Sequence, residues 1–225
     1  MFDLSDNSWT TRAQPLDDPE VAVYFLTEDT FLTGDPNNPA HLDDPAHNVA
    51  LSQALPEGFV RLSDFAAQQD LLIAYYREIA TLAAQHDKPF RHISQHFWMR
   101  LAIGSGTEGI SFPWYDHWEE FDRLLAWIET ATEDEQFDDI DQGWDFVILR
   151  RAGWFLARQG DGEGSEYANV RVPADRMIAA ARQARQQGLA AIGVLTAALG
   201  VDVWSRYHYD AGSVRFGTSE WRPEQ

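Results

Sequence analysis

The feature that most constrains the fold is an order of strand, strand and helix that occurs twice after residue 90. Alternating apolar side chains at 97–103 and 110–112 predict a hairpin, and the glycine-rich residues 104–109 predict its loop. Asp116 is predicted to be the N-cap of the next helix, because Glu119 follows at the capping-box spacing. The apolar stripe of this helix consists of Trp118, Phe121, Leu124, Leu125 and Ile128.

The second occurrence begins at Trp144. The predicted elements are strands at 144–150, 154–159, 167–172, 201–209 and 213–216, and helices at 173–187 and 189–199. Pro173 suits the first turn of a helix, and Gly188 and Gly200 are predicted to end the two helices. The whole pattern predicts an α+β fold, with a mainly antiparallel sheet and helices packed on one face.

The N-terminal part has a different composition. Residues 1–60 contain eleven acidic side chains, six prolines and Arg12 as the only basic residue, with one clear strand at 21–26. We expect this segment to wrap a second segment, 61–225, in which the halves 90–141 and 142–225 are similar in pattern. A helix is predicted over 63–85, with Ser63 as N-cap and Pro89 shortly after its end.

Composition places the chain among folded proteins. It is 44% hydrophobic and 13% aromatic, which is enough to bury a sizeable core, and it has no Cys for disulfides or sulfur-ligated metals. Residues 1–6 lack the basic and apolar regions of a secretory signal, and the apolar residues 189–199 are about half the length of a membrane span. We therefore expect a cytoplasmic protein.

The negative charge is concentrated in one part of the chain. Residues 1–141 carry 27 acidic and 7 basic side chains, a balance of −20, whereas residues 142–225 carry 9 and 10, a balance of +1. The densest region, without any Lys or Arg, contains Glu129, Glu133, Asp134, Glu135, Asp138, Asp139 and Asp141. These seven residues are called the acidic cluster below, and they are predicted to lie at the end of a helix and in the loop after it.

Aromatic residues adjoin the acidic cluster. Phe137 lies within it, and Trp144 follows it; Trp114, Tyr115 and Trp118 precede the helix. Aromatic anchors beside charge are typical of protein interfaces, so we predict a partner-binding surface made of the acidic cluster with Phe137 and Trp144. Such a field attracts a basic protein and repels nucleic acid and anionic membrane. Arg150, Arg151 and Arg158 offer the alternative that the cluster is neutralised within the fold.

No motif predicts a catalytic residue, a cofactor or a metal site. His92 and His96 are four residues apart, but they precede a predicted strand and lack the helix of a metalloprotease motif, so loop or edge histidines are expected. The alternating residues 161–166 depart from a calcium loop at its fifth and sixth positions, and a solvated hairpin loop is expected instead. Glu119, Glu120 and Asp122 are close in sequence, but among 36 acids such pairs carry little information. The chain is predicted not to be an enzyme.

A small, acidic, cysteine-free α+β protein with repeated strand-strand-helix units resembles the immunity proteins that bacteria pair with polymorphic or secretion-system toxins. The resemblance implies tight binding to a cognate, basic toxin domain whose active site is covered or distorted. Two alternatives stay open at this point. One is a nucleic-acid mimic that blocks a DNA-binding protein, and the other is a hydrolase that reverses a toxin's modification.

Overall fold

The computed structural model describes residues 8–34, 45–55, 58–105, 108–141, 143–161 and 165–205. These residues form 11 strands and three α-helices, which confirms the predicted α+β class. The strands are β1 (Gln14–Pro15), β2 (Glu20–Leu26), β3 (Thr30–Leu32), β4 (Ala46–Asn48), β5 (Phe59–Arg61), β6 (Met99–Ser105), β7 (Glu108–Phe112), β8 (Gln136–Asp141), β9 (Trp144–Arg151), β10 (Trp154–Asp161) and β11 (Glu166–Pro173). The helices are α1 (Phe65–Gln85), α2 (Trp118–Thr130) and α3 (Ala174–Leu199).

The chain divides into two compact units, each assembled from separated segments. The first unit contains the chain up to Val23, Arg100–Asp116 and Glu120–Gln187, and the second contains Tyr24–Met99, His117–Glu119 and the chain from Gly188. The predicted segment 1–60 therefore contributes to both units. Strands β8 and β9, on either side of the predicted boundary after residue 141, pair within the first unit.

The main sheet of the first unit has the strand order β1-β11-β10-β9-β8. All of its pairs are antiparallel except β1 with β11. On one face, Trp127 of α2 lies 5.9 Å, between ring centroids, from Phe155 of β10. On the other face, Trp9 packs in a buried cluster with Val147, Leu149 and Leu156. Helix α2 thus covers one face of the sheet, and the N-terminal segment covers the other. Side chains of the central strands are therefore buried on both faces.

A second sheet has the order β5-β2-β6-β7, and β3 and β4 form a separate two-stranded sheet. The predicted hairpin is confirmed, because β6 pairs with β7 in the register Leu101↔Phe112 through Ser105↔Glu108. Its first strand begins at Met99, since Ser94–Phe97 form a 3-10 helix. The single strand predicted at 21–26 is confirmed as β2, whereas β1, β3, β4 and β5 carry no clear alternation in the sequence.

Helix α1 confirms the predicted helix in the second unit, with one correction at its start. It begins at Phe65, after a 3-10 turn at Leu62–Asp64, so Ser63 is not its N-cap. Its buried stripe includes Tyr75, Tyr76 and Ile79, each fully buried. The helix ends at Gln85.

The start of α2 also differs from the sequence prediction. The helix begins at Trp118, and the carboxylate that reaches back to the Asp116 N–H is that of Glu120, at 2.9 Å. The capping-box partner Glu119 was therefore wrong by one residue. Because α2 begins at Trp118, His117 directly precedes the helix, so the prediction of Asp116 as its N-cap was also wrong by one residue.

Helix α3 is one continuous helix, and the predicted break at Gly188 was wrong. Gly188 has another role, because a Cβ built on it would lie 2.0 Å from Cη2 of Trp118. The predicted helix end at Gly200 is confirmed by its positive φ of 78° and its N–H bond to Thr196 O. Pro173 is the last residue of β11, and it is not helical.

The predicted closing hairpin is not seen in the described part of the chain. Residues 201–205 form bends, so the strand prediction was wrong there, and the remainder of 201–209 and all of 213–216 lie outside the described residues. No helix among the described residues combines the length and the hydropathy needed to cross a bilayer.

Candidate functional site

The acidic cluster occupies three elements of the first unit. Glu129 lies in the last turn of α2, Glu133, Asp134 and Glu135 lie in the following loop, and the other three carboxylates lie in β8. The sequence predicted that the cluster lies at the helix end and in the loop after it, and this was wrong for Asp138, Asp139 and Asp141, which lie in a strand. Residues 136–141 form a strand that is fully paired to β9, from Gln136↔Leu149 to Asp141↔Trp144.

The loop carboxylates are bound by their own chain. Glu133 accepts hydrogen bonds from the N–H groups of Ala152 (2.7 Å) and Gly153 (3.3 Å), which form the tight turn between β9 and β10. Arg150 Nε lies 3.7 Å from Glu133, and Arg151 Nε lies 2.9 Å from Asp134. The alternative of internal neutralisation is thus confirmed for Arg150 and Arg151, because the β9–β10 turn places them beside the loop.

Glu135 and Arg158 have other surroundings. Glu135 accepts a hydrogen bond from the Thr132 N–H at 2.5 Å, within its own loop. Arg158 is buried, and its guanidinium lies 5.5 Å from the ring centroid of Trp9. It stands on the face of the sheet that the N-terminal segment covers, because it is directly opposite Val147 in the β9–β10 register.

Glu129 takes part in the contact between α2 and α3. Its carboxylate lies 3.2 Å from Arg182 and 3.6 Å from Arg185. Arg185 also donates two hydrogen bonds to Asp122, at 2.6 and 3.3 Å. The Asp122 hydrogen bond is the main cause that raises the pKa of Arg185. A two-pronged guanidinium bridge of this kind joins the helices and leaves Glu129 little freedom for a partner.

Asp139 is bound on the helix side of the sheet. Its Oδ2 accepts hydrogen bonds from the buried Tyr115 hydroxyl (2.7 Å) and from Arg123 (2.5 Å). Burial, followed by the bond to Asp139, raises the pKa of Tyr115 above its ordinary value. Phe137, two residues earlier on the same face, packs on Trp127 at 5.6 Å between ring centroids. Both residues therefore support the fold.

Asp138 and Asp141 are the members of the cluster without a hydrogen-bond or ion-pair partner among the described residues. Both are exposed, and Ile140 between them is 49% exposed. Strand β8 is the last strand of its sheet, so these residues lie on an edge. An exposed large apolar side chain between two unpaired carboxylates is a composition that suits a binding surface better than a core.

An aromatic row lies at the same end of the sheet. The half-buried Trp144, which is opposite Asp141 in the register, stacks on Trp114 with 5.7 Å between centroids. On its other side it contacts Tyr167 at 5.4 Å, and Tyr167 is 57% exposed. Trp114, Tyr115 and Trp118, which were predicted to precede α2, are all buried in the core. In this row, Trp144 is half-buried and the ring of Tyr167 is exposed, while the Tyr167 hydroxyl donates a hydrogen bond to Asp161.

We define the β8 surface as Asp138, Ile140, Asp141, Trp144 and Tyr167. Asp138, Asp141 and Trp144 were predicted from the sequence, whereas Ile140 and Tyr167 were missed. Ile140 is the one apolar residue within the sequence Asp138–Asp141. That interruption of the run of aspartates is the signal by which the sequence could have indicated it. For Tyr167 the sequence contains no signal, because its neighbour Trp144 comes from a strand that is not adjacent in the sheet.

The other predicted chemical sites have ordinary structural partners. His96 is fully buried, so the expectation of a loop or edge residue was wrong for it; its Nδ1 lies 3.1 Å from the Tyr75 hydroxyl. Burial lowers the pKa of His96 to about 4. Asp161 accepts a hydrogen bond from the Ser165 N–H at 2.8 Å, and residues 162–164 of the calcium-like sequence lie outside the described residues. Across the described ranges, no three His, Asp or Glu side chains are grouped closely enough to hold a metal ion.

Comparison with known proteins finds no matching family model, no matching curated protein and no matching solved structure.

Proposed function

We propose that the chain is an immunity or antitoxin-type protein, which binds a cognate basic toxin domain through the β8 surface and blocks its active site. The observation that carries the proposal is the edge strand β8, in which Asp138 and Asp141 have no partner among the described residues and the exposed Ile140 stands between them in sequence. The apolar side chain supplies contact area, and the two charges select a cationic partner.

Long-range electrostatics supports a basic partner. The chain has a formal net charge of −19 at pH 7, and lower salt extends the distance over which that charge attracts a cationic domain. Complementary charge of this kind raises association rates toward the order of 10⁸ M⁻¹s⁻¹. Slow release then depends on buried anchors, for which Ile140, Trp144 and Tyr167 are the available side chains.

The proposed surface is smaller than the one predicted from the sequence. Glu129, Glu133, Asp134, Glu135 and Asp139 each have a partner within the chain. The engagement of these five carboxylates within the chain weakens the alternative of a nucleic-acid mimic, which needs rows of free carboxylates at the spacing of phosphates. Three expectations from the sequence stay predictions: that the chain has no enzymatic activity, that it has no cofactor, and that it has no nucleic-acid partner.

The test is capture on the tagged, full-length chain from the cells that produce it. We expect recovery of one basic protein at equal stoichiometry. When that protein is expressed alone in a bacterial host, it should arrest growth, and co-expression of the wild-type chain should restore growth.

Two charge-reversal variants identify the surface. Asp138→Lys with Asp141→Lys should abolish both capture and rescue, because it places cations against a cationic partner. The matched control is Asp17→Lys with Asp18→Lys, which makes the same change in net charge at two exposed aspartates elsewhere. Equal loss with both variants would show that only net charge matters, and unchanged rescue by the β8 variant would refute the assigned surface.

A further inference from the structure

We infer that β8 binds its partner by strand addition, so that an extended basic segment of the partner pairs with the free edge of the main sheet. This inference deepens the proposed function and rests on it. It concerns the backbone of Gln136, Asp138 and Ile140, whereas the proposed function concerns side chains of the same region.

The backbone of β8 has one side with which no described strand pairs. Glu135 O accepts a hydrogen bond from the Arg150 N–H at 3.0 Å, at the start of the β8–β9 ladder. In an antiparallel ladder, successive residues direct their backbone groups alternately to the two sides. The register has no bulge from Gln136 to Asp141, so Phe137 and Asp139 point their N–H and C=O groups toward β9. The groups of Gln136, Asp138 and Ile140 consequently point outward.

The opposite edge of the same sheet is closed to such pairing. It ends in β1, which consists of Gln14 and Pro15. Proline has no N–H group to donate, and a two-residue strand offers little length for pairing. Strand β8, with six residues, is therefore the edge of this sheet on which a peptide can extend the ladder.

Charge decides which strand can be added. Natural edge strands carry charges that prevent pairing with a second copy of the same edge. Asp138 and Asp141 act in this way against another copy of this chain, because like charges directly across a strand pair are destabilising. On the face that Asp138 shares with Ile140, Asp138 favours a segment with Lys or Arg at alternate positions, because alternate residues of a strand project to one face. Asp141 projects to the opposite face of the sheet. The edge is thus selective for a basic partner and is closed to self-association.

A buried carboxylate adds to this negative field. Asp145 of β9 is directly opposite Ile140 and is 2% exposed. Its Oδ2 atom is buried, and no described residue donates a hydrogen bond to it. Ile140, Asp138 and Asp145 share one face of the sheet, since residues directly opposite each other have side chains on the same side. A cation on the added strand beside Ile140 would be a diagonal neighbour of Asp138. Asp145 would lie beyond Ile140, two strand spacings or roughly 9–10 Å away, and would act on that cation through its field alone.

The test uses a synthetic ten-residue peptide in which Lys alternates with Thr or Val, added to the full chain. Amide hydrogen exchange is measured by NMR. We expect the outward N–H groups of Asp138 and Ile140 to become at least about tenfold better protected, while those of Phe137 and Asp139, already bonded to β9, change little. A peptide with Glu in place of Lys should give no protection.

Backbone pairing is separated from charge attraction by two matched changes. N-methylation of alternate peptide amides keeps every charge but removes donors from one edge, and it should weaken binding about tenfold. On the protein side, Asp138→Pro removes one outward N–H at an edge position that tolerates proline, and Asp138→Thr loses the same charge but keeps the N–H. The proline variant should bind clearly more weakly than the threonine variant. A far-UV spectrum and the remaining amide shifts report whether each variant is folded.

The outcomes distinguish the two proposals. Strand addition is overturned if the lysine peptide leaves Asp138 and Ile140 unprotected, or if the N-methylated peptide binds equally well. If the captured toxin is then still lost on Asp138→Lys with Asp141→Lys, the proposed function stands with a side-chain interface. If no toxin is captured but the peptide protects the edge, the proposed function fails and the binding edge stands.

Discussion

Replacement of Gly188 by alanine should destabilise the protein, although alanine is the better helix former. Gly188 lies inside α3, where the change from Gly to Ala ordinarily stabilises a helix by about 1 kcal/mol. Here the new Cβ would lie 2.0 Å from Cη2 and 2.2 Å from Cζ3 of Trp118, which is 2% exposed. The indole ring or the helix must therefore move by more than an ångström.

The expected magnitude follows from these two opposing effects. Overpacking of a buried site costs typically about 1–3 kcal/mol, and the contact here is at the severe end. After subtraction of the helix-propensity gain, the free energy of unfolding should fall by about 2 kcal/mol. The assay is urea denaturation followed by far-UV circular dichroism, with the midpoint and slope compared with those of the wild type.

Two further variants make the reasoning refutable. Gly193→Ala is the matched control, because it lies in the same helix with open space around its Cβ, and it should stabilise by about 1 kcal/mol. In a Trp118→Phe background, the atoms that collide with Gly188→Ala are absent, so that substitution should become neutral or stabilising. Equal effects of Gly188→Ala and Gly193→Ala, or a Gly188→Ala penalty that persists undiminished in the Trp118→Phe background, would refute the steric explanation.

The buried His96 should make stability depend on pH. In the unfolded chain its imidazole binds a proton near the ordinary pKa of 6.5, whereas in the native chain it does so only near 4. The free energy of unfolding should therefore fall by about 3 kcal/mol as the pH drops from 6.5 to about 4. Urea titrations at several pH values check this, and His96→Gln should remove the dependence. Glu133→Ala should cost about 1 kcal/mol, because two turn N–H groups lose their acceptor, whereas Asp138→Ala should change stability by less than about 0.5 kcal/mol. Equal unfolding midpoints for these two variants would contradict the division of the cluster into bound and unbound acids.

Local patterns in the sequence predicted the elements whose signals are local. The alternation at 97–103 and 110–112 indicated the β6–β7 hairpin, and the stripe containing Tyr75 and Ile79 indicated α1, because side-chain period follows directly from backbone geometry. The short strands β3, β4 and β5 were missed, since three residues are too few for a period to show. The prediction for Gly188 was wrong because glycine marks either a helix end or a close contact, and only the position of Trp118 decides between them.

The candidate site shows the same division. The sequence located the carboxylates and named Arg150 and Arg151 as possible partners, but it also suggested Arg158, which lies on the opposite face of the sheet from α2. It contained no sign of the bridge from Arg185 to Asp122, because these residues are 63 positions apart. The free members of the cluster could be identified only after the bound ones were known.

By itself, the sequence determined the class of the fold, the place of the negative charge and the lack of cysteine chemistry, since each depends on composition or on a short-range period. The tertiary structure decided which carboxylates are neutralised, which aromatic residues are buried and which strand lies at the edge of the main sheet. The physical reason is that hydrogen bonds and ion pairs act over a few ångströms in space, and chain folding brings together residues whose separation in sequence carries no trace of that proximity.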